Sequence, residues 1–353
     1  MPEMRVHRPQ PLRSRPTVAV VIPCYNYGHF LPDAVASALD QDGVDVEVLI
    51  VDDASTDDSA DVARSLAEAD ARVRVLVHPA NTGHIQTYND GLAVVGGDYV
   101  ALLSADDLLT PNSLTRAAAL MEHHPSVGLV YGFARSFSDH PPATSGETRN
   151  WSVWKGDQWL RTAARKGRCF LQSPEALMRR EALDQTDLYD PRLPHSGDFD
   201  MWMRTAATWD IGRVNGPAQA LYREHANNMH LTTYAGWLTD LRERRTTFQV
   251  LFDEREPDRP DVQALRPVAA RALAREAVRR ALAAHRELPD SGEAEALMAF
   301  AATTDPTIRR TVRWRGTRLV LRPTWPAPAS LAHRFGERVR MHLTWRYWRR
   351  YGT

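Results

Sequence analysis

Cysteine is almost missing from this sequence. Cys24 and Cys169 are the only two among 353 residues, too few for a disulfide framework. Lysine is as scarce, with Lys155 and Lys166 alone, so nearly all positive charge sits on arginine. Long apolar runs are missing as well. The longest, Thr17–Pro23 and Tyr99–Leu103, fall far short of the ~18–20 residues that a bilayer crossing takes. They read as buried strands, and no membrane-spanning helix is expected. Met1 to Arg15 hold arginines and prolines but no apolar stretch of the kind a secretory leader needs, so the expected location is the cytoplasm. Neither charge sign dominates, because 44 Lys and Arg balance 44 Asp and Glu, and a nucleic-acid partner held by bulk electrostatics is not expected. What is there, 43% hydrophobic and 25% charged residues, describes a soluble globular chain with length for one large domain, or for one of about 220–250 residues and a smaller one.

The first half alternates short β-branched runs with polar or amphipathic stretches, the pattern of βαβ units and a mainly parallel sheet. Strands are expected at Val18–Ile22, Val46–Val51, Val73–Val77, Tyr99–Leu103 and Leu129–Phe133, with helices at Phe30–Leu39, Ser59–Ala69, Ile85–Val94 and Ser113–Glu122 between them. The strand ends then carry Pro23–Asn26, Asp52–Thr56, Pro79–Gly83 and Ser104–Asp107, and in an open α/β sheet ligands bind beyond those ends. Ser138–Asn150 is rich in Pro, Ser, Thr and Gly and reads as a loop, a candidate flap. From Tyr234 onward Trp237, Leu238, Leu241, Phe248, Leu251 and Phe252 recur near helical spacing, and the Ala/Arg-rich Val268–Leu288 continues the pattern, so a helical appendage is expected.

Carboxylates placed at strand ends carry the chemistry. Asp52-Asp53-Ala54-Ser55-Thr56-Asp57-Asp58 follows one apolar strand and Ala105-Asp106-Asp107 follows another. Either alone fits a helix cap or turn. Two on one rim would repel unless a cation or a sugar hydroxyl stood between them, and a hard divalent ion with oxygen ligands, Mn²⁺ or Mg²⁺, meets that demand.

In order and spacing, Val20-Val21-Ile22-Pro23-Cys24-Tyr25-Asn26, Val51-Asp52-Asp53 through Ser59, Asn81-Thr82-Gly83, Gly97-Asp98-Tyr99-Val100 and Ser104-Ala105-Asp106-Asp107 resemble the family 2 inverting nucleotide-sugar glycosyltransferases. The resemblance runs from about Thr17 to Asn228. It implies the GT-A fold, a Rossmann-like, mainly parallel α/β sheet flanked by helices, and a metal-dependent sugar transfer from a nucleoside diphosphate, most often UDP. It implies also that Pro23, Tyr25, Asn26, Asp53, Asn81, Gly83, His84 and Asp106 bind the donor. Tyr25 would stack on the base, Asp53 would accept the uracil imide proton, Asp106 would face the ribose and Asp107 would bind the metal. Where the family commonly has a further Asp, this chain has Ser104.

Ser196-Gly197-Asp198-Phe199-Asp200-Met201-Trp202 resembles the family's acidic pair, with Gly197 in place of a commonly acidic neighbour, and aligns Asp198 with the catalytic base. An inverting displacement needs one carboxylate within reach of the acceptor hydroxyl, opposite the departing diphosphate. Leu221-Tyr222-Arg223-Glu224-His225 is similar to a later segment whose histidine completes the metal shell, which makes His225 a second metal ligand and favours manganese. Trp151, Gln172, Ser173, Asp200 and Trp202 are the acceptor-side candidates, and the aromatic cluster Trp151, Trp154 and Trp159 is a candidate flank of the acceptor.

The expected organisation is a flexible basic arm over 1–16, a catalytic domain over 17–230 with donor half 17–110 and acceptor half 111–230, a helical region over 231–305 and a basic, aromatic segment over 306–353. That last segment leaves open a peripheral contact with the inner membrane face, a homo-oligomer contact, or packing on the same chain. The expected partners are a nucleotide-sugar donor, UDP-sugar foremost, and a carbohydrate or small-molecule acceptor. The alternatives are a non-catalytic sugar-nucleotide or glycan-binding module of the same fold and a nucleotidyltransferase, although Pro23-Cys24-Tyr25-Asn26 is not the glycine-rich phosphate loop the latter uses.

Overall fold

The computed structural model describes residues 4–144, 146–228, 236–287 and 291–321. Expectations for the Arg/Trp-rich stretch 322–353 therefore lie outside the described residues. The chain divides into two compact units, Met1–Trp159 with Leu171–His225, and Leu160–Phe170 with Ala226–Thr353.

The strands of the first unit are β1 (Arg5–His7), β2 (Thr17–Cys24), β3 (Asp45–Asp52), β4 (Val73–Val77), β5 (Tyr99–Leu102), β6 (Leu108–Leu109), β7 (Val127–Tyr131), β8 (Ala134–Phe137), β9 (Asn150–Trp154), β10 (Leu177–Arg179), β11 (Asp210–Asn215) and β12 (Ala220–Arg223). Among the described residues nine of them form one sheet, in the order β1-β9-β11-β7-β10-β5-β2-β3-β4, and β6, β12 and β8 form a small second one. Between them run helices α1 (Leu31–Leu39), α2 (Ser59–Ala69), α3 (His84–Val94), α4 (Ser113–His123), α5 (Gly156–Lys166), α6 (Arg180–Thr186) and α7 (Gly197–Thr208).

The parallel core is β5-β2-β3-β4. Val18 through Ile22 of β2 are buried on both faces, which is why the run is continuously apolar rather than alternating. Helix α1 buries Leu31, Ala34, Val35 and Ala38, one stripe at i, i+3, i+4 and i+7, and carries Pro32 in its first turn. The chain moves outward from β2 to β3 and β4, then returns to the other side of β2 as β5. That reversal opens a crevice at the carboxyl ends of β2 and β5. The small sheet seals one wall of it: β12 pairs antiparallel with β6 and parallel with β8, so the chain after Arg223 emerges beside the turn that leads into β6.

Three expectations are corrected. The 1–16 arm is not wholly flexible, because Arg5–His7 pairs antiparallel with Trp151–Val153 as an edge strand. The fifth strand is Val127–Tyr131 rather than Leu129–Phe133, since the chain leaves the main sheet at Gly132 and Phe133 and enters the small sheet at Ala134. Trp151, Trp154 and Trp159, read as acceptor-flanking aromatics, are core residues: Trp151 is 2% exposed and lies against the rings of His123 and His124.

The second unit contains α8 (Trp237–Val250), α9 (Pro260–Gln263), α10 (Arg266–Glu287), α11 (Glu293–Thr304) and α12 (Val312–Val320). Helix α10 buries Ala269, Leu273, Ala274, Ala277, Val278, Ala281 and Ala284, a small-residue stripe against which α11 packs through Ala294, Leu297, Met298 and Ala301. Arg244 of α8 donates to the Gly167 carbonyl at 2.9 Å and to Asp240 at 2.5 Å. Among the described residues no helix is long and apolar enough to cross a membrane.

Candidate active site

Three clusters of side chains stand at the carboxyl ends of the strands. The first surrounds Asp53, just past β3. Its Oδ1 accepts from His78 Nδ1 at 2.9 Å, from the Thr82 backbone at 2.8 Å and from the Thr82 hydroxyl at 2.9 Å, while its Oδ2 accepts from Gly83 N–H at 2.9 Å. Burial alone would raise this carboxyl, but the donors from His78, Thr82 and Gly83 outweigh it and hold Asp53 below the usual range. Gly83 has φ +87°, the left-handed region that favours glycine, and no atom lies within 4 Å of the place where a side chain would begin. Asn26, at φ 58°, ties the β2 and β3 loops together: its side-chain oxygen accepts from Thr56 N–H at 2.7 Å and its own N–H reaches Ser55 Oγ at 2.9 Å. Pro23 and Cys24 end β2 opposite Val51 and Asp52. Burial pushes the Cys24 thiol up to about 11, so it is a packed filler and not a nucleophile. Tyr25 is exposed beside this cluster and Asn81 is exposed.

The second cluster forms where β5 turns into β6. Asp107 is 1% exposed and accepts the Arg223 N–H at 2.9 Å, while Arg223 Nε donates to the Asp106 carbonyl at 2.9 Å. The guanidinium is held between the rings of Phe30 and Phe137, 4.6 and 4.5 Å from their centroids. His225 Nε2 meets Asp106 Oδ2 at 2.9 Å, and its ring lies edge-on to Tyr27 at 5.5 Å. Burial first, and then the charge of Asp106, pushes Asp107 well above the carboxylate range. The same causes, burial and then Asp106 and Asp107, push the Tyr27 hydroxyl to about 12. Both shifts describe a buried pocket in which carboxylates crowd one another. Among the described residues no three His, Cys, Asp or Glu side chains gather into a metal cage, yet a hard ion that binds alongside phosphates needs only one or two protein carboxylates. Asp107 and Asp106, with His225 beside them, fit that demand.

The third cluster is built on Asp198, in the first turn of α7. Tyr189 donates its hydroxyl to Asp198 Oδ1 at 2.7 Å, and Ser173 donates to Oδ2. Burial, and after it the Asp198 charge, pushes the Tyr189 hydroxyl well above its ordinary value, so it stays a donor. Asn89 fixes Tyr189 from the other side, accepting its N–H at 2.8 Å and donating to its carbonyl at 2.9 Å. The glycine at 197 has a steric reason: a Cβ there would sit 2.9 Å from Tyr189 Cδ1. Asp198 is half-buried, so its carboxylate is both oriented and accessible.

Comparison with known proteins places this arrangement. The family model described as Glycosyl transferase family 2 matches residues 19–186. An uncharacterized glycosyltransferase of Nostoc sp. is 31% identical over 229 residues, which cover 61% of this chain and 67% of that protein. The chain belongs to the family 2 glycosyltransferases. A glycosyltransferase of Streptococcus pneumoniae is 35% identical over 97 residues, 28% of this chain and 32% of that protein. The fold of this glycosyltransferase is shared with a mannosyltransferase of Pyrobaculum calidifontis in complex with GDP-Man and Mn²⁺, with TM-score 0.54 and 21% identity over 89% of this chain and 86% of that one. It is shared also with S. aureus TarS 1–349 in complex with UDP-GlcNAc, with TM-score 0.53 and 15% identity over 83% and 92% of the two chains.

Within this glycosyltransferase, Asp53, Gly83, Asp106, Asp107, His225, Ser173 and Asp198 fall into the three clusters. His84 Nε2 meets the Pro194 carbonyl at 2.8 Å, on the segment that leads to Asp198. Asp200 is not on the acceptor side. It is 0% exposed and paired with Arg204 at 2.8 Å, because positions 198 and 200 of a helix point about 200° apart. Trp202 is buried with it, and like Trp151 it cannot stack on a sugar. Gln172 is exposed and caps the short turn Ser173–Glu175. Sequence reasoning missed His78, Tyr27 and Tyr189, which reach the carboxylates from other segments and carry no local motif. Arg223 had a signal, its place two residues before His225 in the Tyr222-Arg223-Glu224-His225 segment.

Proposed function

We propose that this glycosyltransferase moves a sugar from a UDP-sugar to an acceptor hydroxyl with inversion at the anomeric carbon, Asp198 being the general base. The observation that carries the reading is the Asp198 carboxylate, accessible and fixed by two hydroxyl donors, Tyr189 and Ser173. A base that must meet one acceptor hydroxyl in one direction needs that orientation before substrate arrives.

Donor selection follows from Asp53. A carboxylate offers about four acceptor sites, two per oxygen. Oδ1 is crowded by three donors that share its two lone pairs, whereas Oδ2 takes Gly83 N–H and keeps its second lone pair for one more. A uracil imide presents a single N–H to that place, whereas the edge of guanine presents two. The exposed Tyr25 ring offers the base a stacking face. Asp107, Asp106 and His225 would hold Mn²⁺ or Mg²⁺, which supplies Lewis-acid stabilisation to the departing diphosphate. Arg223, kept in place by Phe30 and Phe137, props the Asp106–Asp107 turn from behind.

The test is calorimetric titration with UDP and GDP, each with Mn²⁺ and with EDTA, on the wild type and on Asp198→Asn. UDP binding that needs the metal and survives in the variant, with sugar transfer lost, supports the reading. Preference for GDP overturns the donor assignment, and undiminished transfer by the variant overturns the base. Metal-dependent UDP binding by a wild type that transfers to no acceptor and hydrolyses no donor identifies a binding module instead.

A further inference from the structure

The described end of the second unit carries a cationic surface that sugar transfer does not use. Arg309 and Arg310 of the turn Pro306–Arg310 and Arg313, Arg315 and Arg318 of α12 are all exposed, and no acidic residue occurs from Pro306 to Leu321. The nearest, Asp305, is buried and accepts from Thr307. Helix α12 is anchored on one side only. Trp314 and Thr317 are buried, α10 packs against the helix, and Thr311 caps it by accepting Trp314 N–H at 3.2 Å.

The opposite face is not polar. At 100° per residue, Val312, Gly316 and Leu319 share one outward stripe. Val312 is 86% exposed and Leu319 41% exposed, and among the described residues no atom beyond the helix's own turns lies within 4 Å of the position a Gly316 side chain would take. Arg313 borders the stripe on one side and Arg315 and Arg318 on the other. An apolar strip framed by arginines matches a bilayer interface, where the strip enters the acyl boundary and the guanidinium groups meet headgroup phosphates. A nucleic acid would use the arginines but leave Val312 and Leu319 without a role.

We propose that α12 and the turn before it dock this protein on an anionic lipid surface. The proposal is independent of the donor and base assignments. Sedimentation of the full chain with vesicles of equimolar phosphatidylcholine and phosphatidylglycerol tests it, with pure phosphatidylcholine as control. Binding is expected to the anionic vesicles alone and to weaken as salt rises. Each arginine near such a surface changes partitioning roughly fivefold, so Arg313→Gln/Arg315→Gln/Arg318→Gln lowers it roughly a hundredfold. Val312→Ser/Leu319→Ser keeps every charge and still lowers it roughly tenfold or more. Because all five side chains are exposed, both variants keep the wild-type melting temperature and UDP affinity. Equal binding to neutral vesicles, no vesicle binding, or anionic-vesicle binding that neither variant weakens overturns the proposal. So does tight binding of a single-stranded oligonucleotide that the Val312/Leu319 variant retains in place of vesicle binding.

Discussion

Asp107 and Asp198 are both carboxylates at the rim of one crevice, and the protein treats them in opposite ways. Asp107 is buried beside Asp106, and its charged form is disfavoured by desolvation and by that neighbour. Asp198 is half-buried and receives a hydrogen bond on each oxygen. The first environment suits a group that awaits a cation; the second holds a carboxylate in one direction. Burial and donors, more than motif position, separate the two environments.

The sharpest way to break this contrast is Asp198→Asn. Loss of the base is expected to lower the rate of transfer by roughly 10²–10⁴-fold, with UDP affinity and melting temperature near those of the wild type, since an amide keeps the shape and still accepts one hydroxyl. Single-turnover transfer measured beside calorimetric UDP binding decides it. A parallel loss of UDP binding would put Asp198 on the donor side and dissolve the distinction.

Asp107→Asn is expected to act on the other half of the comparison. Transfer should fall roughly 10²–10³-fold, the several kcal/mol that a metal supplies at a departing diphosphate, and stabilisation by UDP should cease to depend on Mn²⁺. The apo protein should melt higher than the wild type, because a buried carboxyl that is costly to ionise has been neutralised while Arg223 N–H keeps an acceptor. Differential scanning calorimetry with and without Mn²⁺ reads both effects. An apo melting temperature that falls would mean that Asp107 already has its compensation within the protein.

How much of this was legible beforehand follows the same division. The strands β2, β3, β4 and β5 are apolar runs ended by turn residues, so the strand ends that line the donor-side crevice could be read from periodicity, while the return of the chain to the other side of β2 as β5 could not. The strands β9 to β12 are short and carry mixed residues, and β10 runs antiparallel between β5 and β7. Their pairing is set by tertiary contacts between distant segments, which no local pattern encodes. Asp53, Asp106, Asp107 and Asp198 announced themselves because motifs end at them. What surrounds each did not. His78 reaches Asp53 across 25 residues with no motif to mark it, whereas His225, which reaches Asp106 across 119, stood in a family-like segment. Trp151, Trp154, Trp159 and Trp202 misled for a physical reason: an aromatic ring is equally fit for a sugar face and for a core, and only burial tells which.

Glu175 extends the comparison to a carboxyl with no role in the chemistry. It is buried on the turn that carries Ser173 and accepts Gln172 N–H at 2.8 Å, and burial pushes it up to about 7. An acid raised in this way favours the folded state while protonated, so its contribution is whole below its ordinary value of 4.5 and is lost as pH climbs through about 7. Glu175→Gln should remove that loss. Urea unfolding across this range should show the wild type falling behind the variant by at most about 3 kcal/mol, and parallel pH profiles would mean that Arg213 pairs with an ionised Glu175 throughout.

The finest test concerns how Asp198 is aimed. Tyr189→Phe deletes one of its two donors and leaves the ring, so kcat is expected to fall roughly tenfold, the worth of one charge-assisted hydrogen bond, with KM for the donor unchanged. Gly197→Ala approaches the same contact from the backbone side. Its methyl would sit 2.9 Å from Tyr189 Cδ1, and relief of that overlap requires the ring to shift and the hydroxyl to leave Asp198. If Gly197 serves to admit Tyr189, the two substitutions damage one interaction, and the double variant should be little worse than either alone. Additive losses in a double-mutant cycle would show that the methyl harms the site by another route. Then the glycine that replaces the family's common acidic neighbour would need an explanation apart from Tyr189.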